Sequence, residues 1–323
     1  MRRFAAAATA VALVLLPAGS GAQEPDPSAS PPQAGAGPFA RLLLLPDLSA
    51  VGSFALAWNG WDVGALSPRD GPYAPSPDEP AFLFEEVELA IQAAVDPYAR
   101  ADLFVALGPD GAAVEEAFLT TLGLPAGLQL RAGRIRSPFG RANPLHPHAR
   151  DFLDAPLATE RLLAPEALVG TGLSLGWLAP LPWYAELVVA GQSAAVEEDG
   201  PEALLGVARL SQYFSLGDAA TLGVGLSGGL RDEGTGRHRD LFGADAYLRI
   251  RPPVGRSYLA LTGEAVGRRL RGPGGGDAEW GGYAQAFWRA GPRFGLGARW
   301  DTAPTSPEGT ARPGREHRWS ALA

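Results

Sequence analysis

Glu86-Val87-Glu88-Leu89-Ala90-Ile91-Gln92-Ala93-Ala94-Val95 alternates polar or small residues with aliphatic ones. In an extended chain successive side chains face opposite ways, so Val87, Leu89, Ile91, Ala93 and Val95 share one face while Glu86, Glu88 and Gln92 share the other. Working outward, the same period recurs between turn residues. Val51–Trp58 precedes it, and Tyr98–Leu107, Ala113–Leu122 and Gly127–Arg136 follow. After an irregular stretch come Val169–Trp177, Trp183–Gln192, Leu204–Phe214, Thr221–Leu230, Leu241–Arg251, Tyr258–Gly267, Trp280–Ala290 and Phe294–Asp301. Reversals such as Asp96-Pro97 and Gly108-Pro109-Asp110-Gly111 suit tight turns between antiparallel neighbours. In Ala113–Leu122 the alternation breaks at Glu115-Glu116, which marks either a bulge or the edge of a hydrocarbon layer.

A soluble sandwich could carry the same alternation with its apolar face inward. Three features favour an all-β, antiparallel up-and-down transmembrane β-barrel, apolar outside and wet inside. The first is the number of strands. The second is an export signal: Arg2-Arg3, an apolar run from Phe4 to Leu16, then small residues to Ala22. That run is about 13 residues against the roughly 20 a spanning helix needs. The third is aromatics near strand ends, Trp58, Trp177, Trp183, Trp280, Trp288 and Trp300, where interfacial girdles sit. The expected organisation is a signal peptide over 1–22, a disordered Pro/Ala-rich leader over 23–38 and an outer-membrane barrel over 39–323 of a Gram-negative cell. About thirteen strands are legible, and His317–Ala323 reads as the start of a fourteenth. Bacterial single-chain barrels close on an even count, and the last residue is Ala rather than an aromatic. The expectation is therefore a truncated chain that lacks the closing strands of a barrel of 16 or more.

Composition narrows function by exclusion. There is no cysteine, so disulfides, thiol nucleophiles and thiolate metal sites are out. A net charge of -8 argues against a nucleic-acid partner. With 42 glycines in 323 residues, tight turns and curved strands are better served than helices. All 27 basic residues are arginine, a usage best read as the codon bias of a G+C-rich genome. Gly-x-Ser-x-Gly, HExxH and GxxxxGK[ST] are missing, so an enzyme is not expected, and the Gly272–Gly276 run reads as a loop rather than a phosphate cradle.

From Ser137 to Leu168 the alternation lapses, and structureless stretches of this length are usually functional or disordered. Arg134, Arg136 and Arg141 surround it. Folded into a barrel, such a loop with several guanidiniums would constrict the passage and favour anions, although the same residues could simply line a wide lumen. Glu86 and Glu88, with Glu115 or Glu116, would oppose them, and Arg100 and Asp102 fall on the same inward face of their strand. His146 and His148, two of the four histidines, precede Asp151 and Asp154 and offer donor types suited to zinc, against an ordinary loop role. No other cofactor is suggested.

The run Phe84-Glu85-Glu86-Val87-Glu88-Leu89, Val95-Asp96-Pro97-Tyr98-Ala99-Arg100-Ala101-Asp102, Val114-Glu115-Glu116-Ala117-Phe118-Leu119, Gly133-Arg134-Ile135-Arg136, Phe139-Gly140-Arg141-Ala142-Asn143 and His146-Pro147-His148 resembles outer-membrane proteins of the phosphate-selective porin O and P superfamily. Some members of that family are labelled zinc-regulated TonB-dependent outer membrane receptors. The resemblance spans most of residues 80–323 and implies a channel for passive diffusion of small hydrophilic solutes or ions, anions among them. It also implies outer-membrane lipid as surroundings and the homo-trimer common among porins. Two departures bound it: the chain has no lysine, which those porins use toward anions, and only about 30 residues separate Ala22 from the first strand, short for a receptor plug. The alternatives left open are a receptor or zinc-related metal-binding barrel without channel activity and, further off, a lipase-type barrel enzyme.

Overall fold

The computed structural model describes residues 46–57, 81–109, 111–152, 154–164, 167–194, 203–234, 236–252, 256–276, 278–291, 293–305 and 314–322. The expected signal peptide, the leader and Trp58 lie outside them. Fourteen strands form one sheet: β1 Asp47–Ala57, β2 Ala81–Asp96, β3 Ala99–Gly108, β4 Gly111–Thr121, β5 Leu128–Arg136, β6 Val169–Leu178, β7 Tyr184–Ala194, β8 Ala203–Leu216, β9 Ala220–Gly234, β10 Arg237–Ile250, β11 Tyr258–Arg271, β12 Glu279–Arg289, β13 Gly295–Pro304 and β14 Arg315–Leu322. Each pairs antiparallel with its neighbour in sequence, so the order is β1 to β14 without a crossover. Among the described residues each alternating segment of the sequence overlaps one of these strands.

The sheet is inside out relative to a soluble protein. Leu173, Leu175, Val189, Leu204, Leu226, Leu230, Phe242 and Leu296 are exposed, while Glu88, Asp102, Gln192, Asp245, Glu264, Arg299 and Asp301 are buried. In β2 the register sets Leu89 opposite Val105 and Ile91 opposite Leu103 on the apolar face, and Gln92 opposite Asp102 on the polar one. Exposed aromatics gather near the strand ends: Trp177, Trp183, Tyr184, Trp288 and Phe294 close to the shorter turns, and Phe54, Phe84 and Trp280 toward the other end. Such belts suit rings that straddle an apolar layer and water. Among the described residues no helix is long and apolar enough to cross a membrane.

Residues 137–168 fold back along the polar face. They carry one six-residue helix, α1 Leu157–Leu162, whose first N–H is held by the Asp301 carboxylate at 3.1 Å. The two ends of this segment meet, since Ser137 N–H donates to the Leu168 carbonyl at 2.8 Å, and the Asn143 side chain ties both ends. Phe139, Ala158, Leu162, Leu163 and Leu168 pack against Leu205, Val207, Leu241 and Val266 of the wall, which forms the buried apolar core. That small core replaces water at the wall with side chains matched in shape, worth roughly 1.5–3 kcal/mol for each large residue fully buried.

The segment reaches both margins of the sheet. His146 meets Glu88 of β2, whereas Arg161 meets Glu316 and Ala155 O accepts from Arg318, both on β14. The wall must therefore curl around it. Among the described residues β1 and β14 are not paired with each other.

Candidate functional site

One side of the polar face is acidic. Alternation in β2 turns Glu88 inward, and in β4 the sequence break proves to be a bulge: Glu116 pairs with Phe104 and Val114 with Val105, leaving Glu115 as the extra residue. The bulge lets two consecutive carboxylates reach the same imidazole. Glu88 Oε2 and Glu115 Oε2 each lie 2.8 Å from His146 Nδ1, and Glu116 Oε2 lies 2.7 Å from Nε2. Phe104 closes one side of the imidazole, with ring centroids 4.9 Å apart. His148 Nδ1 stands 3.3 Å from Glu88 Oε2.

Burial by itself would lower the His146 pKa, but hydrogen bonds to Glu115, Glu116 and Glu88 outweigh it and push it up to about 10. The ring is thus a cation at neutral pH, braced between three acids. Arg136 locks the arrangement: its N–H donates to Glu116, Nη2 to Glu115 and Nη1 to the Leu145 carbonyl, at 2.7, 2.8 and 3.2 Å.

Arg136 can do this because β5 parts from β4. Their ladder ends at the pair Ala117–Arg134, while β5 continues along β6 to Arg136. Gly133, at φ 139°, sits where a Cβ would run into the Ala117 carbonyl, so only glycine permits that approach.

The other side carries guanidiniums and phenols. Arg141 and Ala142 donate their N–H groups to Glu264 of β11 at 3.1 and 2.9 Å, and Tyr283 O–H donates to the same carboxylate at 3.2 Å. Gly140 turns the chain at φ 63°, against Glu264, in space that a Cβ would take. The Arg141 guanidinium lies 4.0 Å above the Tyr247 ring and donates to Tyr213 Oη at 3.2 Å. Arg299 binds Asp301 at 2.8 Å and Asp154 at 2.7 Å, and stacks over Phe152 at 4.7 Å. Between segment and wall a cavity of about 180 Å³ is lined by Arg141, Arg150, Tyr247, Tyr258, Gln285 and Arg299, among others.

The structure therefore gathers Glu86, Glu88, Arg136, His146 and His148 on one side and Arg141 on the other. Arg134 departs from its expected place: alternation from inward Gly133 sets it on the opposite face, its guanidinium on the Val114 carbonyl at 3.0 Å. Arg100 and Asp102 face inward but pair with each other at 3.0 Å, apart from the segment. Asp151 and Asp154 leave the histidines for Gln285 and Arg299. The role of Glu264 as anchor was not legible, because the backbone groups it holds stand more than 120 residues away; a glutamate on an inward strand position was the available signal.

No protein-family model matches the chain. An uncharacterized protein of Aquifex aeolicus (strain VF5) is 31% identical over 274 residues, 73% of this chain, which spans 58% of that relative's length. Among solved structures, OmpT (in-vitro folded), an outer membrane protein of Vibrio cholerae, aligns over 70% of this chain and 81% of its own, with 11% identity and a TM-score of 0.42. Its loop L8 deletion mutant aligns over 79% and 93%, with 11% identity and a TM-score of 0.44.

A curled antiparallel meander with aliphatic side chains outward, ion pairs inward and aromatics toward both ends has the architecture of an outer-membrane β-barrel protein. Each of β2 to β13 pairs with a neighbour on both sides, which satisfies backbone polar groups between strands as a wall in hydrocarbon requires.

Proposed function

We propose that the chain forms a porin-like passage for passive diffusion of small hydrophilic solutes or ions, with residues 137–168 as its constriction. The observation that supports this most is the segment itself, which runs along the polar face from β2 to β14 and leaves a narrow charged gap against the wall. Carboxylates crowd the β2–β4 side around Arg136 and His146, while on the β8–β13 side Arg209 and Arg299 are paired with Asp245, Asp154 and Asp301, so the passage is lined by both signs of charge. Arg141 supports a preference for anions, since its guanidinium is hydrogen-bonded to Tyr213 and stacked on Tyr247, with Asp151 in electrostatic reach. The surroundings would be outer-membrane lipid and the assembly a homo-trimer, as the resemblance to porins implies.

Planar-bilayer recording of the full chain tests the reading. Discrete conductance steps are expected, and their lack at every voltage would remove it. In a salt gradient, Arg141→Gln should move the reversal potential toward cation preference, leaving step frequency unaltered.

A further inference from the structure

The acidic side of the inner face holds a set of donors that a diffusion channel does not require. One donor atom from each of Glu88, Glu115 and His146 lies within 4.8 Å of the other two. They come from three separate elements, β2, the β4 bulge and the infolded segment, and Glu88 is 3% exposed. Beside them Glu86 Oε1 is buried without a hydrogen-bond partner, and His148 Nδ1 lies 3.3 Å from Glu88 Oε2. Glu88 and Glu115 thus converge on Nδ1 of His146 with Glu86 in electrostatic reach, and Arg136 binds only Glu115 of the three by its side chain.

We propose that Glu88, Glu115 and His146 bind a divalent transition-metal ion of the zinc class, with His148, whose Nδ1 lies 3.3 Å from Glu88 Oε2, as a further donor in reach. The chemistry of the set selects the ion: a mixed imidazole and carboxylate shell suits zinc, whereas magnesium and calcium take oxygen alone. Spacing agrees. Donors about 2.0–2.1 Å from a tetrahedral ion stand roughly 3.3–3.4 Å from one another, and His146 Nδ1 already lies 2.8 Å from both Glu88 Oε2 and Glu115 Oε2. Moving each donor outward by a few tenths of an ångström opens the place for the ion; as the nitrogen–metal bond forms the Nδ1–H bond breaks and its proton is released to water. Because one ligand belongs to the infolded segment and two to the wall, the bound ion would pin that segment to β2 and β4.

The test is zinc titration of the full chain in detergent after treatment with a chelator, followed by equilibrium dialysis. One equivalent of zinc should remain bound in excess magnesium. Glu88→Gln and His146→Gln should each weaken binding at least tenfold, and His317→Gln, a histidine of β14, should leave it unaltered. Zinc-edge X-ray absorption on the wild type should find imidazole nitrogen together with carboxylate oxygen, a readout independent of how the variants fold. No stoichiometric zinc, displacement by magnesium, a shell without nitrogen, or equal affinity in all three variants would overturn the proposal. Channel recordings in the same preparations are scored separately, so a failure here does not bear on permeation.

Discussion

Glu264 carries the attachment of the constriction to the far wall. Its carboxylate accepts two backbone N–H groups from Arg141 and Ala142 and one phenolic O–H from Tyr283. Glu264→Ala leaves the two N–H groups without their acceptor, at about 1–3 kcal/mol for each that stays unpaired in a buried site. The expected outcome is a lower melting temperature in detergent with noisier, larger conductance steps; an unaltered melting curve would show that the carboxylate is not an anchor. Gly140→Ala should act in the same direction, because a left-handed residue and the Glu264 carboxylate both resist a Cβ there. At this scale the sequence was partly legible. Alternation decided that Glu88, Asp102 and Asp245 face inward, and histidines in a loop were visible as candidate ligands. What alternation cannot carry is the identity of partners across the wall: His146 finds Glu88 58 residues away and Arg299 finds Asp154 145 residues away, distances set by the curl of the whole sheet.

At the scale of elements, a bulge and an inward fold make the site. The break at Glu115-Glu116 admitted two readings from sequence, and the pairing of Phe104 with Glu116 and of Val105 with Val114 selects the bulge. Arg134 shows the limit of simple period-two counting, since β5 loses its β4 neighbour beyond that residue and Arg136 turns inward despite sharing its parity. The lapse of alternation over Ser137–Leu168 correctly announced an irregular segment, yet its path depends on contacts with β2, β11, β13 and β14 that no local pattern encodes. Because Ser137 N–H already meets the Leu168 carbonyl, residues 138–167 can be replaced by a short Gly-Ser turn with no strain at the ends of β5 and β6. The shortened protein should keep its β-sheet circular dichroism and conduct several-fold more current per step. Unaltered conductance from a folded deletion would show that the segment does not limit flow.

Across the whole molecule, the distribution of polarity separates a wall in lipid from a sheet in water. Leu226 of β9 faces outward, opposite Leu210 and Ala244 of its neighbours, and is 62% exposed. In a water-soluble sheet, replacing so exposed a leucine with arginine would cost almost nothing and would improve solubility. In a transmembrane wall the same change places a cation against hydrocarbon, at about 2–4 kcal/mol near the midplane. Leu226→Arg should therefore fold poorly into lipid vesicles, with a transition shifted by that amount in urea. One residue along, Ser227 points inward, where its hydroxyl meets Gly140 N–H and Arg209. Ser227→Ala loses those contacts yet adds no charge to the lipid face, so its folding into vesicles should be far less impaired. Refolding into vesicles, followed by heat-modifiable mobility on gels, ranks the two variants. A Leu226→Arg chain that inserts as well as wild type would mean that the aliphatic face does not meet lipid, and the inside-out arrangement would need another cause.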